Sequence, residues 1–214
     1  MSAAEEELLL DEIKNTLGHA GYRPDEAVTH VDAVPGLYAI HGSAQTWAAL
    51  GLDHRPGPLY VGRALKSLVA RDLNEHFAVK PGKSHPDGYT GGSTVRRSIA
   101  ALLRPHLGFV GRPRRGKSST ATVRDCLNYE LEGPMERPLT DWMQSHLTFS
   151  AWQAPPGEAP KRIGRLETRI ISEWVPPVNL NGVPTALHTP ALVRNRAAMQ
   201  NEARDWAISR GAKL

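Results

Sequence analysis

The chain has 214 residues, with 26 Lys and Arg against 22 Asp and Glu for a formal net charge of +4, and 40% of it is hydrophobic. That balance fits one elaborated folded domain with a core of its own and excludes global disorder. The single cysteine, Cys126, excludes an internal disulfide and argues against a cysteine-based zinc site. No apolar run reaches membrane-spanning length and the acidic start is unlike a secretory leader, so a cytoplasmic protein without a membrane partner is expected.

Residues 4–20 predict an amphipathic helix, with Leu8, Leu9, Ile13 and Leu17 on one stripe and acids in the first turn. This arm is strongly acidic, since residues 1–32 carry eight acids against Lys14 and Arg23. Gly18 and the run Gly21-Tyr-Arg-Pro24 end the helix. Two short β-leaning runs follow, Pro35-Gly-Leu-Tyr-Ala-Ile40 and Pro58-Leu-Tyr-Val-Gly62, each pairing a tyrosine with a glycine. The connection between them, residues 41–58, has room for a helical turn from Thr46 to Leu50. Leu65, Leu68 and Val69 begin a helix that runs to about Phe77, and residues 79–92, rich in Gly, Pro, Lys and His, read as a loop.

Ser93-Thr94 caps the next helix, Val95 to about Leu103, which opens with Arg96-Arg97. Leu107-Gly-Phe-Val110 predicts a short strand and residues 111–119 a basic loop. Residues 55–117 together hold thirteen Lys and Arg against Asp72, Glu75 and Asp87. Such concentration suits a polyphosphate partner, and equally a solvated basic surface. Downstream come a helix from Thr140 to His146, a strand over Thr148–Trp152, and a break at 155–160. A helix from Arg162 to Trp174 stops at Pro176-Pro177, and a last helix runs from Thr189-Pro190 to about Ser209. This order predicts an α+β fold, a small central antiparallel β-sheet flanked by helices.

Two phenols on neighbouring strands put two polar tips over one spot, with glycine leaving room for a phosphate or a backbone. Arg71 and His76 fall in and just after the following helix, while Glu167 lies on a late helix with Pro176 and Asn179 nine and twelve residues beyond it. Hydrolysing a phosphodiester needs an activated water, a cation and charge neutralisation on the phosphate oxygens. One carboxylate suffices for a hard divalent ion that keeps most of its waters, an arginine clamps phosphate, and a tyrosine or histidine takes a proton.

In this order the residues resemble the GIY-YIG nuclease superfamily: Gly36-Leu-Tyr38, Tyr60-Val-Gly62, Arg71, His76, and the block from Glu167 to Asn179. The resemblance implies a metal-dependent DNA endonuclease using Mg2+ or Mn2+. It implies Tyr38 as general base or water-positioning group, Tyr60 and Arg71 on the scissile phosphate, Glu167 on one divalent cation, and Asn179 as a brace. Gly36 and Gly62 would serve geometry. His76 is also a candidate, but it lies five residues beyond Arg71, about 140° around an ideal α-helix, so the two need not share a face. On this reading residues 1–32 are an acidic arm, 33–182 a nuclease domain with insertions at 41–58 and 79–160, and 183–214 a C-terminal helix.

Arg63, Arg96, Arg97, Arg114, Arg115 and Lys117 are the expected contacts to DNA. Arg96-Arg97 qualify because they open a capped helix, although a plain basic helix face explains them equally well. Gly111 to Ser118 also fits the phosphate-cradling pattern G-x-x-x-x-G-K-[ST]. The bulky Arg-Pro-Arg-Arg within it, and the lack of a later apolar strand ending in Asp, point instead to a mobile basic loop. Two alternatives therefore stand beside the endonuclease: a non-catalytic nucleic-acid-binding module of the same fold, and a P-loop nucleotide-binding enzyme.

Overall fold

Helix α1 (Ala3–Leu17) opens the computed structural model, which describes residues 3–79 and 85–214. Residues 80–84, part of the loop expected at 79–92, lie outside the described residues. Glu5 and Glu6 in the first turn of α1 complement its dipole. Its buried stripe is Leu10, Ile13 and Leu17, whereas Leu8 is 71% exposed. The expected stripe thus began two residues early, because a run of three leucines leaves periodicity unable to choose among them and the neighbouring sheet decides.

The order continues with α2 (Pro24–Ala27), β1 (Gly36–Gly42), α3 (Ala44–Ala49) and β2 (Tyr60–Ala64), then a π-helix over Val69–His76 and α4 (Thr94–Leu107). The short strand β3 (Gly111–Arg112), α5 (Val123–Leu127) and strand β4 (Glu130–Leu131) follow. Next come α6 (Glu136–His146), β5 (Leu147–Gln153), α7 (Pro160–Trp174) and α8 (Pro190–Ile208). The strand expected at 107–110 is displaced: Leu107 still belongs to α4, Gly108 ends that helix at φ 64°, and pairing starts only at Gly111. The α5–β4 segment carries no strong periodic signal and was not expected.

β1 is the central strand of an antiparallel sheet ordered β2-β1-β5. Leu37 and Ala39 of β1 and Val61 of β2 face a layer made by α1 and α7, with Leu10, Ile13, Ile163, Leu166 and Ile170. Tyr38 and Ile40 point the other way, into the larger core with Phe77, Val95, Ile99 and Phe149. This period-two alternation explains why a strand buried on both faces still sorts its tyrosine from its leucine.

The long 41–58 connection does not separate the two tyrosine strands. Ser43 caps α3, Trp47 is buried, and the chain returns so that the Leu59 N–H donates to the Ile40 carbonyl at 2.8 Å. Pairing resumes in register, Ile40 opposite Tyr60 and Tyr38 opposite Gly62. The outer edge of β2 is covered by residues 176–179: Val178 N–H donates to Leu59 O at 3.0 Å, and the Asn179 carboxamide bonds both the N–H and the C=O of Val61, at 2.9 and 2.8 Å.

His41, on β1, is buried against Ser150 of β5 at 3.0 Å. Burial, with the charge of His19 and against the hydrogen bond to Leu17, lowers its pKa from 6.5 to about 4. The folded state therefore binds fewer protons than the unfolded chain, and stability present above pH 6.5 is lost as pH falls towards 4. His41 alone contributes about 3 kcal/mol to this slope. We expect the urea midpoint to fall between pH 7.5 and pH 5, and to fall less in His41→Asn; equal slopes in the two proteins would contradict the assignment.

Candidate active site

The antiparallel register sets Tyr38 directly across from Gly62. A Cβ at position 62 would collide with the Tyr38 hydroxyl and lie 2.5 Å from Tyr38 Cζ and 2.8 Å from Tyr60 Cε1. Gly62 therefore makes room for a tyrosine ring rather than for a phosphate. Gly36 lets the Trp152 carbonyl of β5 and the Leu68 side chain approach. With those spaces open, the Tyr38 and Tyr60 ring centroids lie 6.0 Å apart.

Both rings open onto a cleft of about 370 Å³ whose walls include Arg63, Arg71, Thr94, Glu167, Asn179 and Asn181. Arg63 comes from β2, Arg71 from the π-helix and Glu167 from α7. The apolar stripe of α7, Ile163, Leu166, Ile170 and Ile171, is buried, and Glu167 sits on its edge facing the cleft. Its carboxylate pairs with Arg63 at 2.8 Å. Burial pushes the Glu167 carboxyl above the usual carboxylate range, and Arg63 opposes that shift. Arg71 pairs with Glu75 one turn along at 2.6 Å. Burial works against its charge, but Tyr38, Glu75 and Tyr60 outweigh that and push its pKa up.

His76 is brought into this group by a backbone feature that the α-helical spacing concealed. Residues 69–76 are π-helical, so hydrogen bonding runs i→i+5 and a residue five along returns to nearly the same face. The His76 ring is fully buried behind Tyr38, with Nε2 2.8 Å from Tyr38 Oη and Nδ1 2.8 Å from Ser93 Oγ. It does not line the cleft, and it touches the cleft wall at Tyr38. Its pKa lies well below 6.5, first from burial and then from the charges of Arg71, Arg96 and Arg97. The sequence presented Ser93 only as a helix cap, which it also is, accepting the Arg96 N–H at 3.1 Å. A hydroxyl that caps one helix and holds a ring from another leaves no separate mark in sequence.

The expected DNA-contacting arginines divide. Arg63 is in the cleft, but Arg96 is 0% exposed and Arg97 is buried. Arg96 donates to the His76 carbonyl at 2.9 Å, to Glu136 Oε2 at 2.8 Å and to Thr140 Oγ1 at 2.8 Å. Arg97 donates to the carbonyls of Thr90 and Gly91 at 3.2 and 3.0 Å, and burial lowers its pKa to about 10. Neither presents its guanidinium to a nucleic-acid backbone. Lys117 is paired with Asp125 at 3.0 Å, Arg114 hydrogen-bonds Tyr89, Arg115 is exposed, and none of the three lines the cleft.

The P-loop alternative fails on the same segment. The Arg115 and Gly116 amides, which would cradle phosphate, donate to the Glu130 carboxylate at 2.6 and 2.9 Å, and the Gly111 amide donates to Glu202 at 3.0 Å. Gly111 belongs to an antiparallel pair of two-residue strands rather than to a parallel sheet.

The antiparallel sheet and its flanking helices thus bring two tyrosines, Arg71 and one carboxylate to a single cleft. The family model described as GIY-YIG catalytic domain matches residues 48–198, and the chain belongs to this family. GIY-YIG domains are typically endonucleases, commonly use divalent metals and act on nucleic acid. The matched stretch includes Tyr60, Arg71, Glu167 and Asn179, while Tyr38 precedes it. No curated protein and no solved structure matches the chain. No helix among the described residues is long and apolar enough to cross a membrane.

Removing Arg96 leaves the Glu136 carboxylate without its buried cation. Arg96→Ala should lower the unfolding free energy by about 3 kcal/mol in chemical denaturation. Arg115→Ala, on an exposed side chain, should change it by less than about 0.5 kcal/mol.

Proposed function

We propose that the chain is a divalent-metal-dependent DNA endonuclease that hydrolyses phosphodiester bonds in the cleft between Tyr38, Tyr60, Arg71 and Glu167. The observation that carries this reading is the convergence of those four side chains, distant in sequence, on one cleft with His76 directly behind Tyr38.

The donor set suits such an ion. Glu167 offers hard carboxylate oxygens at the wall of a cleft roomy enough for water and phosphate, and the described residues contain no cluster of three His, Cys, Asp or Glu. One carboxylate with an otherwise open shell fits Mg2+ or Mn2+, which keep several waters, better than a caged zinc. When bound at Glu167 the ion would supply Lewis-acid stabilisation of charge on the phosphate. Arg63, which neutralises Glu167 in its absence, would then be free to turn towards the phosphate.

Tyr38, acting as the phenolate after its own proton has left to solvent through the cleft, takes the proton of the attacking water. We assign the tautomer in which Ser93 Oγ donates to His76 Nδ1 and the neutral ring keeps its proton on Nε2, directed at Tyr38 Oη. Burial, and then the cations around His76, disfavour imidazolium, so the ring does not carry the proton away but donates to the phenol oxygen. That donor and Arg71 both favour negative charge on Tyr38. Tyr60 donates to a non-bridging oxygen, Arg71 offsets the charge of the pentacovalent state, and Asn179 holds β2 so that Gly62 keeps its place under Tyr38.

Plasmid DNA should be cut with Mg2+ and left intact in EDTA. Tyr60→Phe and Glu167→Ala should each slow cutting about a hundredfold or more. Wild-type rates in either variant would end the proposal. The donor role of His76 predicts that His76→Gln, which keeps an N–H, retains activity that His76→Ala loses by about a hundredfold.

A further inference from the structure

The cleft is continuous with a larger groove whose chemistry assigns it a partner. Arg63, Lys161, Arg165, Thr168, Arg169 and Ser172 line a groove of about 830 Å³ along the outer face of α7. Arg63 and Thr168 belong to both this groove and the cleft. Arg63 also lines a third concavity of about 450 Å³, with Lys66, Ser67, Arg71 and Glu75 among others. Arg63 thus stands where three depressions meet.

Lys161, Arg165, Thr168 and Ser172 recur at helical spacing opposite the buried stripe of α7, so they form one exposed face. The α7 groove has four cations and two hydroxyls on its walls and no acid. Arg63 is held by Glu167, and Arg169 by Glu7 at 2.6 Å and Glu173 at 3.4 Å. Lys161 and Arg165 have no acidic partner among the described residues, and neither does Lys66 across the junction. Glu7 on the acidic helix α1 pairs with Arg169, so Lys161 and Arg165 are the groove cations left for an outside anion.

We propose that this face of α7 is the track for the nucleic-acid strand flanking the scissile bond. Lys161 and Arg165 hold its phosphates, and the strand passes Arg63 into the cleft and leaves over Lys66. From Lys161 to Ser172 the helix rises about 16 Å, the axial extent of about five nucleotides of one strand. Lys161 and Arg165 lie outside the basic middle third of the sequence, and the track rests on the nuclease reading only for the identity of the strand.

The test is fluorescence-anisotropy binding of a short DNA duplex in EDTA, where nothing is cut, across a range of salt. Lys161→Ala/Arg165→Ala should weaken binding about tenfold and reduce the slope of log K against log salt by about 2, since each phosphate contributes about 0.9. Lys161→Arg/Arg165→Lys should keep both. Hydrolysis of bis(p-nitrophenyl) phosphate, which fits the cleft alone, should be unchanged in the alanine pair, whose exposed positions should leave the fold intact. Unchanged affinity and slope in the alanine pair, or loss of small-ester hydrolysis with it, would overturn the track. Loss of binding in the alanine pair, with a wild-type protein that cuts neither DNA nor the ester, would uphold the track while ending the nuclease proposal.

Discussion

Tyr38 reaches His76 because nothing but hydrogen stands on the strand across from it. The pairing that sets Tyr38 opposite Gly62 lets the phenol ring lie over the neighbouring strand, within hydrogen-bond distance of a ring buried behind it. A slip of one residue would turn Tyr38 to the α1–α7 side and leave Leu37 facing His76. The molecule resists that slip in two places. The 41–58 excursion is closed by Leu59 on Ile40, and Asn179 grips both backbone groups of Val61, next to Gly62. Asn179 therefore stabilises a register rather than a single contact.

Charge in this chain is managed by location. The basic middle third contains cations of three kinds. Some are internal, as Arg96 with Glu136 and Arg97 on two carbonyls; some are neutralised at the surface, as Lys117 with Asp125; some stand in the cleft, as Arg63 and Arg71. A buried ion pair such as Arg96–Glu136 adds little net stability over an apolar replacement but is costly to break, and here it also holds the last carbonyl of the π-helix. Burial, and then Arg71, Arg96 and Arg97, hold the pKa of the neighbouring His76 low, so the scaffold sets the protonation of that ring as well as its position.

Several elements were legible from residue patterns alone. The tyrosine strands, the Ser93 cap, the proline-stopped α7 and the proline-initiated α8 all follow from local propensity, and the structure places them within a few residues of the expectation. Less legible were the elements whose signal is short or shared. β3 and β4 have two residues each and owe their pairing to surrounding contacts. The leucine run in α1 allowed several stripes, and only the sheet beneath it chose Leu10, Ile13 and Leu17.

What the sequence determined by itself was the identity and order of the candidate site residues: two tyrosine–glycine pairs, an arginine, and a glutamate followed by asparagine at a set spacing. These are local patterns, and covalent order carries them. What only the tertiary structure decided was which charged and polar groups face solvent, which face each other, and what His76 does. A basic run reads the same whether its guanidinium points into water or into a core. A histidine five residues from an arginine reads as turned away until the backbone widens into a π-helix. Burial and backbone geometry are set by packing between segments far apart in the chain, and that is why Ser93, Arg96 and Glu136 join the site only in three dimensions.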